Sequence, residues 1–468
     1  MTLIKSISGI RGTIGGKPGT ALTPIDVAKF ASAYGVWVKT HSSNKKIVIG
    51  RDARISGEMV SKIVASCLQG LGLDVIDLGL STTPTVEIAV VMEKAAGGII
   101  ITASHNPIQW NALKLLNSEG EFLSDLDGKN ILEIAESENI LFSEVKEIGK
   151  YSLNDTYFEK HIDAILRLPL VDKKAIAEKN FKIAIDCVNS TGGIVVPMLL
   201  EALGVTTITK MYCEPDGHFP HNPEPVPENL THISSEIRNG KYDLGIVVDP
   251  DVDRLCFVNE DGSMFGEEYT LVAIADYVLK NTPGGNTVSN LSSTRALKDV
   301  TEKAKGTYYA SAVGEVNVVT KMKEVKAVIG GEGNGGVIYP ELHYGRDGLV
   351  GIALFLTHLA KFGKSVSMMK AFYPAYQISK NKIELTPDLD VDHLIDEVKK
   401  KYKNQPIIDV DGVRIDFDKQ WVHLRKSNTE PIIRIYAEAD TLATADNLAN
   451  KIISDMKEII TKDAGILR

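Results

Sequence analysis

The sequence is poor in cysteine and aromatic residues, and it lacks long apolar runs and blocks of like charge. Its four cysteines lie far apart without a Cys-x-x-Cys pair, which argues against a disulfide framework and predicts reduced thiols in the core. No segment holds about 18 uninterrupted apolar residues, and the first residues carry no apolar signal region. We therefore expect a cytoplasmic protein that does not contact a membrane.

The charge balance argues against one class of partner. The net charge is −9, and acidic and basic residues are mixed along the chain. Because nucleic-acid binding needs a concentrated basic surface, we expect no nucleic-acid partner. An acidic protein can still bind an anionic substrate through a local cluster of bases. For the oligomeric state we expect a monomer or a homodimer.

Length and composition predict a multidomain globular protein. With 468 residues, and at roughly 150 residues per domain, the chain should form three or four domains. Strand and helix patterns alternate from residue 23 to residue 102, starting with a helix at Thr23 and a buried strand at Ile47–Asp52. Such alternation predicts a mostly parallel sheet covered by helices. The glycine-rich stretch 8–20 reads as a loop around Arg11.

Four apolar strands end in a carboxylate, which we interpret as a weak internal repeat of one α/β unit. They are Ile47–Asp52, Ile183–Asp186, Ile246–Asp249 and Val328–Glu332. The last part of the chain differs, because the hairpin signal Asp411-Gly412 and a closing helix predict a smaller α+β module. We expect domains over residues 1–155, 156–259, 260–372 and 373–468.

Ser104 stands in a polar turn after a strand of β-branched residues. The strand Ile99–Thr102 places the next side chains at the carboxyl edge of a sheet, where open α/β folds bind ligands. His105 lies beside the serine, and Lys114 follows ten residues later. The same Ser-His-Asn-Pro letters are also typical of a simple strand-ending turn. An acyl-transfer serine would stand in Gly-x-Ser-x-Gly, which is absent here.

Three carboxylates follow a later apolar strand at alternate positions. Asp249, Asp251 and Asp253 can converge on one side and form a hard-oxygen site for a divalent cation. An EF-hand would place an acid at Glu260 but requires glycine where the chain has Arg254, and strands rather than helices flank the motif. An aspartyl-phosphate nucleophile remains an alternative for the first of these acids.

A glycine-rich loop surrounds Glu332 and Asn334. Its glycines would allow the backbone amides to cradle a phosphate, but a lone acid in the loop would repel one. The two side chains are better suited to sugar hydroxyls. A turn without function is the alternative reading.

A basic, hydroxyl-rich stretch near the C terminus predicts a phosphate site. Its members are Arg425, Ser427, Asn428 and Thr429, with Arg434 close behind. Two guanidinium groups and a turn backbone form a fork for a phosphate dianion. This is the local positive charge that an acidic protein needs for an anionic substrate.

Taken together and in this order, the stretches resemble the α-D-phosphohexomutase family over essentially the whole chain. The matching pieces are Thr102–Pro107 with Lys114, Asp249–Arg254, Gly331-Glu332, Arg425–Thr429 and Gly9–Gly12. The resemblance implies an α/β fold of three related domains with mixed, mostly parallel sheets, and a smaller C-terminal α+β domain, around a central cleft. It implies a mutase that moves phosphate between the 1 and 6 positions of a hexose through a phosphoserine enzyme and a bisphosphate.

The resemblance also implies roles for the site residues. Ser104 would be the phosphoserine and, with Asp249, Asp251 and Asp253, would hold one Mg²⁺. Glu332 would face the sugar hydroxyls, and the stretch from Arg425 to Thr429 would clamp the phosphate that does not react. Phosphoryl transfer needs positioning and charge neutralisation, for which the candidate catalytic side chains are Arg11, His105, Lys114 and Arg254. A hexose 1,6-bisphosphate would act as activator.

Two departures from the family pattern bear on the substrate. Bacterial members commonly have histidine where this chain has Gly336, and the stretch Val313–Asn317 lacks the histidine, lysine or arginine that the family often has after this glycine, Gly314. We expect glucosamine 6-phosphate to be converted to glucosamine 1-phosphate, with mannose and glucose phosphates as alternatives. For Lys114 we expect a pKa lowered by neighbouring cations, which would suit general acid or base catalysis. A phosphatase with an aspartate nucleophile and a non-catalytic sugar-phosphate binding protein are the rival functions.

Overall fold

The computed structural model describes residues 2–6, 9–137, 139–384, 390–426 and 432–466. These residues form four β-sheets, of seven, four, four and five strands, packed against helices. The architecture confirms the expected fold class, three α/β units followed by a smaller α+β unit.

The first unit holds the seven-stranded sheet. Its elements are β1 (Leu3–Ser6), β2 (Gly9–Thr13), α1 (Pro24–His41), β3 (Lys46–Arg51), α2 (Gly57–Gly70), β4 (Asp74–Leu80), α3 (Thr83–Met92), β5 (Gly97–Ile101), β6 (Trp110–Leu116), α4 (Asp125–Ser137) and β7 (Tyr151–Leu153). The strand order is β1-β2-β6-β5-β3-β4-β7. Strands β5, β3, β4 and β7 run parallel, and the remaining pairings are antiparallel.

The start of α1 confirms the expected helix signal. The Thr23 side chain accepts a hydrogen bond from the Asp26 amide, and the Asp26 carboxylate accepts one from the Thr23 amide. This reciprocal capping satisfies two amides that a helix start leaves without partners, and Pro24 has no amide hydrogen to satisfy.

The expected loop over residues 8–20 is wrong in part, because Gly9–Thr13 is a strand. Close approach of backbones explains the glycines here. A Cβ on Gly9 would lie 2.4 Å from the Leu113 carbonyl oxygen, and one on Gly12 would lie 2.8 Å from the Thr2 carbonyl oxygen. The glycines therefore allow tight strand packing rather than a free loop, and they place Arg11 on a strand.

The second and third units each hold a four-stranded sheet. The second consists of α5 (Tyr157–Leu166), α6 (Lys173–Lys179), β8 (Lys182–Asp186), α7 (Gly192–Ala202), β9 (Thr207–Met211), α8 (Thr231–Gly240), β10 (Leu244–Val248) and β11 (Leu255–Asn259). The third consists of α9 (Glu267–Asn281), β12 (Thr287–Asn290), α10 (Ala296–Lys303), β13 (Tyr308–Ser311), α11 (Glu315–Val325), β14 (Ile329–Glu332), β15 (Gly336–Ile338), α12 (Gly348–Phe362) and α13 (Val366–Lys370). Their strand orders are β11-β10-β8-β9 and β15-β14-β12-β13.

These two sheets and part of the first share one topology. In each, three parallel strands are followed by an antiparallel fourth strand, and the central order of the first sheet is β6-β5-β3-β4. The expected repeat therefore exists, but its alignment was wrong. Ile47–Asp52 and Ile183–Asp186 belong to the first strand of their units, whereas Ile246–Asp249 and Val328–Glu332 belong to the third.

The fourth unit is an antiparallel sheet covered by two helices. Its elements are β16 (Gln377–Glu384), α14 (Val391–Lys401), β17 (Ile407–Ile408), β18 (Val413–Asp416), β19 (Trp421–Lys426), β20 (Ile432–Ala439) and α15 (Leu442–Ile466), with strand order β16-β20-β19-β18-β17. Apolar side chains that alternate along β18, β19 and β20 pack with those of α14 and α15 in one core.

The cysteines and the apolar character of the helices can be compared with expectation in the described part of the chain. All four cysteines are free, as expected, but only Cys187 and Cys256 are buried, while Cys67 and Cys213 are partly exposed. Among the described helices, none combines the length and apolarity needed to cross a bilayer.

The largest hydrophobic core joins the second and third units. Phe257 of β11 stacks on Phe355 of α12 with ring centroids 3.7 Å apart, and Phe265 meets both rings edge to face. Stacked and edge-to-face rings add to the burial of apolar area, so this trio fixes the two units to each other.

Replacement of Phe355 by alanine should lower the free energy of unfolding by about 3–5 kcal/mol, because it opens a cavity between two units. The matched control is Phe372→Ala, since that ring is 64% exposed and should contribute far less. Denaturant titration followed by tryptophan fluorescence and circular dichroism measures both. Equal losses in the two variants would contradict the joint core.

Candidate active site

Three loops meet at one cleft of about 900 Å³. Each loop is the turn between the third and fourth strands of its unit: β5 to β6, β10 to β11, and β14 to β15. The first carries Ser104, the second carries Asp249–Arg254 and the third follows Glu332. The fourth unit contributes Arg425 and Arg434 to the same cleft. The structure thus brings together all described candidates of the sequence.

Ser104 is held in a sparsely populated backbone conformation with φ of 48°. Its amide donates to Thr102 Oγ1 at 2.9 Å, and its hydroxyl donates to Asp249 Oδ2 at 2.7 Å. The serine is 7% exposed and faces the cleft. Left-handed backbone at a residue other than glycine costs energy and is concentrated at functional sites.

Arg54, a residue that the sequence analysis missed, fixes the Ser104 loop. Its guanidinium donates to the carbonyl oxygens of Asn106 at 2.7 Å and Pro107 at 2.8 Å, and also to that of Ser104. Asp52 orients Arg54 through a 3.0 Å contact to Nε. The charged turn at the end of the strand Ile47–Asp52 is the signal that could have suggested it.

The three aspartates form a buried cluster that fits a divalent cation. Asp249, Asp251 and Asp253 are 0% exposed, and their ligand oxygens lie within 4.8 Å of one another. Oδ1 of Asp251 and Oδ1 of Asp253 are buried and accept no hydrogen bond among the described residues. Buried oxygens without donors are costly unless a cation binds them, so the donor set suits Mg²⁺.

The loop that carries these aspartates is tied to its surroundings. The hydroxyls of Ser190 and Thr191 donate to the Pro250 carbonyl at 2.7 and 2.8 Å. The Thr83 hydroxyl, on the first turn of α3, donates to Asp251 Oδ2 at 2.5 Å. Val252 has φ of 60°, which turns the chain so that alternate carboxylates point the same way.

The charges in this cluster are strongly coupled. Burial, with the neighbouring charges of Asp251 and Asp253, raises the pKa of Asp249 well above its ordinary value. Burial alone would also raise the pKa of Asp253, but Arg346 and Lys114 together hold it below its usual range. Like charges this close favour binding of a cation among them.

Lys114 lies in the cluster but not with the pKa that we expected. Its Nζ is 2.7 Å from Asp251 Oδ2 and 3.2 Å from Asp253 Oδ2. Burial favours the neutral amine, yet the two carboxylates outweigh it and raise the pKa of Lys114 above its ordinary value. The expectation of a lowered pKa is therefore wrong, because the neighbours that dominate are anions.

Three further candidates line the Ser104 side of the cleft. Arg254 pairs with Glu224 at 2.9 Å and approaches His105 Nε2 at 3.5 Å, while His105 Nδ1 is 3.3 Å from Ser104 Oγ. Burial and Arg254 lower the pKa of His105 well below its ordinary value, so the ring is neutral. Burial and Arg254 also lower the pKa of Arg11.

Glu332 is buried, lines the same cleft, and accepts hydrogen bonds at both of its carboxylate oxygens. Oε1 accepts from Asn290 Nδ2 at 2.7 Å and from the Gly314 amide at 3.1 Å. Oε2 accepts from Arg346 Nη1 at 2.8 Å and from Asn334 Nδ2 at 3.4 Å. Although burial acts against the charged form, Arg346 and these donors hold the pKa of Glu332 below its ordinary value.

Of the predicted phosphate site, the structure describes the two arginines, Arg425 and Arg434. Arg425 and Arg434 stand directly opposite each other on β19 and β20, and Arg425 Nε lies 2.8 Å from Asp411 Oδ2. Both residues line the cleft, where their guanidinium groups can contact an anionic ligand. The other fork candidates, Ser427, Asn428 and Thr429, lie outside the described residues.

Comparisons with known proteins cover the whole length of the chain. Four models described as domains of phosphoglucomutase/phosphomannomutase match in order: alpha/beta/alpha domain I at residues 3–140, domain II at 159–262, domain III at 266–376, and the C-terminal domain at 386–454. A Thermococcus kodakarensis protein named phosphoglucomutase/phosphomannomutase is 35% identical over 433 residues, which are 92% of this chain and 94% of the relative.

A second relative and a solved structure are also similar to this chain. A Methanopyrus kandleri protein named "Probable phosphoglucosamine mutase" is 31% identical over 456 residues, 97% of each chain. The crystal structure of a phosphoglucomutase/phosphomannomutase family protein from Burkholderia thailandensis superimposes with a TM-score of 0.82 at 23% identity, over 97% of each chain. At that identity the second similarity supports the fold alone.

Removal of one aspartate should weaken cation binding. Added Mg²⁺ should raise the melting temperature of the wild type by mass action, whereas Asp249→Asn should lose Mg²⁺ affinity by at least about 10- to 100-fold and show a much smaller rise. The matched control is Asp261→Asn, which removes an exposed acid in the turn that follows β11. If both variants gained as much as the wild type, the cluster would not be the cation site.

Proposed function

The chain belongs to the phosphoglucomutase/phosphomannomutase family, and from this premise we propose that it interconverts hexose 6-phosphates and hexose 1-phosphates through phosphorylated Ser104 and a hexose 1,6-bisphosphate. The observation that carries the proposal is the 2.7 Å contact between Ser104 Oγ and Asp249 within the buried aspartate cluster. A hydroxyl at the edge of a cation site is placed to carry a phosphoryl group whose charge the cation offsets.

The residues fit one Mg²⁺ held by Asp249, Asp251, Asp253 and the phosphate of Ser104. When bound, the ion neutralises charge on the transferring phosphoryl group and polarises its P–O bonds. Arg11 and Arg254 supply further positive charge from the chain itself. Their guanidinium groups suit the equatorial oxygens of a phosphoryl group, because they present several donors in one plane.

The transfer step is a balanced exchange of one P–O bond for another. A sugar hydroxyl oxygen attacks the phosphorus of phospho-Ser104, a new O–P bond forms, and the bond from phosphorus to Ser104 Oγ breaks. The sugar hydroxyl loses a proton and the serine oxygen gains one. His105, 3.3 Å from Ser104 Oγ, can exchange a proton with that oxygen. Lys114, whose pKa is raised by Asp251 and Asp253, supplies positive charge beside the cation ligands instead.

The second half of the cycle needs the intermediate to turn end for end. We propose that Arg425, Arg434, Ser427, Asn428 and Thr429 hold whichever phosphate is not reacting, while Glu332 and Asn334 contact the sugar hydroxyls. The positions of Arg425 and Arg434 support this, since the two residues stand directly opposite each other on β19 and β20 and both line the cleft. Added hexose 1,6-bisphosphate would rephosphorylate enzyme that has lost its phosphate.

Each domain would contribute one part of this site. We propose boundaries at residues 1–155, 156–259, 260–372 and 373–468, and the fact that each sheet lies wholly inside one of these ranges supports them. The serine, cation, sugar and phosphate loops then belong to successive domains.

For the substrate we propose glucosamine phosphate. An ammonium group on the sugar is attracted by carboxylates, and the cleft is lined by Glu268 and by three carboxylates that also pair with bases of the chain: Glu224, Glu267 and Glu315. Val316, next to Glu315, introduces no competing positive charge. The similarity to the Methanopyrus protein supports the same choice, while the similarity to the Thermococcus protein favours glucose or mannose phosphate as the alternative.

Phosphate should be found on Ser104 after incubation with glucose 1,6-bisphosphate and Mg²⁺. Ser104→Ala should remove the label and lower turnover by about 10³-fold or more, because the acceptor oxygen is lost. Ser81→Ala is the matched control, as its buried hydroxyl has no hydrogen-bond partner among the described residues. Peptide mapping and lability to hydroxylamine locate the phosphoryl group. A hydroxylamine-labile label on Asp249 would establish the phosphatase-like alternative instead.

Among glucosamine, glucose and mannose 6-phosphates tested in competition, glucosamine 6-phosphate should show the highest kcat/KM, by at least about tenfold. Coupled assays or phosphorus NMR of the mixture measure the ratio. A preference for glucose or mannose phosphate would refute the substrate assignment and leave the reaction intact. Turnover of none of the three by primed, Mg²⁺-loaded protein would refute the reaction.

A further inference from the structure

We propose that Arg346 is a positioning residue that couples the cation loop to the sugar loop, and that Gly336 is required to make room for it. The inference rests on the function proposed above. Arg346 lies between β15 and α12, outside all four stretches that the sequence analysis singled out. Its side chain is only 10% exposed, and its guanidinium reaches three carboxylates.

The three contacts come from three different parts of the site. Nη2 lies 2.7 Å from Asp253 Oδ2 in the cation loop, and Nη1 lies 2.8 Å from Glu332 Oε2 in the sugar loop. Nε lies 2.9 Å from Glu315 Oε2 at the start of α11, and the Arg346 amide donates to the other oxygen of Glu315 at 3.1 Å. One planar group therefore fixes the relative positions of three buried carboxylates.

Arginine suits this place because its donors point in fixed, different directions. A lysine ammonium would bring the same charge but could not hold three carboxylates at once in one plane. Removal of the guanidinium would leave three buried anions with one shared counter-charge fewer, which is costly in a low-dielectric site. The effect should reach the cation ligand and the sugar contact together.

Gly336 stands directly opposite Glu332 in the β14 to β15 pairing. A Cβ at this position would lie 2.3 Å from Arg346 Cδ and 3.0 Å from Arg346 Cγ. These atoms are in the middle of a side chain whose guanidinium is held by three carboxylates. The side chain therefore cannot move away from a new Cβ without breaking those contacts. The glycine is thus needed for space, and any side chain there must displace the guanidinium from Asp253 and Glu332.

A double-mutant cycle tests this pairing. The variants are Gly336→Ala, Arg346→Ala and their combination, with Arg346→Lys as the conservative change. The readouts are the Kd for Mn²⁺, from the electron paramagnetic resonance signal of free Mn²⁺, and kcat and KM for the hexose phosphate. Melting temperature and circular dichroism establish that each variant is folded.

Gly336→Ala alone should weaken Mn²⁺ binding and lower kcat/KM by about 10- to 100-fold, as is typical when a partner of a metal ligand is displaced. In the Arg346→Ala background the same substitution should change both by less than about twofold, since nothing remains to displace. Arg346→Lys should fall between wild type and Arg346→Ala. The matched glycine control is Gly57→Ala, whose added carbon would lie 3.3 Å from Arg51 Cδ and should leave both readouts unchanged.

Three results would overturn the proposal. The first is a Gly336→Ala protein with wild-type Kd and KM, and the second is an equal cost of that substitution in both backgrounds. The third is a loss of melting temperature in the Arg346 variants with Kd and KM unaffected, which would make the residue purely structural. If Arg346→Ala does not fold, Arg346→Ser replaces it as the second background, because a lysine would keep the Cγ and Cδ atoms that Gly336 accommodates. Wild-type protein without turnover would refute the proposed function, while the Mn²⁺ arm would still decide the pairing.

Discussion

The concentration of buried negative charge in one cleft is the constraint on which the rest of this structure depends. Asp249, Asp251 and Asp253 are fully buried, and Glu315 and Glu332 lie close by. Such a set is tolerated only because positive charges lie beside it: Lys114 and Arg346 pair with these carboxylates, and the nearby charge of Arg254 acts on Asp249 and Asp253. Each of these bases reaches the cluster from a different unit or loop, so the charge balance is complete only when the first three units are assembled. The charge balance of the cluster therefore depends on how the first three units pack together.

The repeated unit explains how the loops come together. Each of three units ends its parallel strands at one rim and then reverses into an antiparallel strand, and the reversal is where the functional loop lies. Three copies of the same turn, packed around one cleft, bring together the hydroxyl of Ser104, the buried aspartates and the carboxylate of Glu332. On the proposed function, three units of like topology would contribute different chemical groups from equivalent turns.

The sequence predicts the parts of this site whose signal is local. Ser104 follows a short apolar strand and the aspartates alternate after another, so strand periodicity alone points to both. Arg54 and Arg346 could not be found in this way, because their partners are carbonyl oxygens or carboxylates far along the chain, brought near only by tertiary packing. The same limit hides the strand Gly9–Thr13, because its pairing partner β6, which Gly9 approaches closely, lies far along the chain. The repeat was detected but misaligned, because a buried strand ending in an acid occurs at two positions of the unit.

The size of the cleft has a consequence for the fate of the intermediate. At about 900 Å³ it lies near the upper end of the range for small-ligand sites, about 300–1,000 Å³, with the serine and cation loops on one wall and the arginines of β19 and β20 on another. In the proposed reaction, a hexose carrying two phosphates would have to turn within that space. Rotation would then compete with escape from the cleft, and each escape would leave a serine without its phosphate. On this mechanism the width of the cleft would set how many turnovers one phosphoryl group supports before the enzyme must be phosphorylated again.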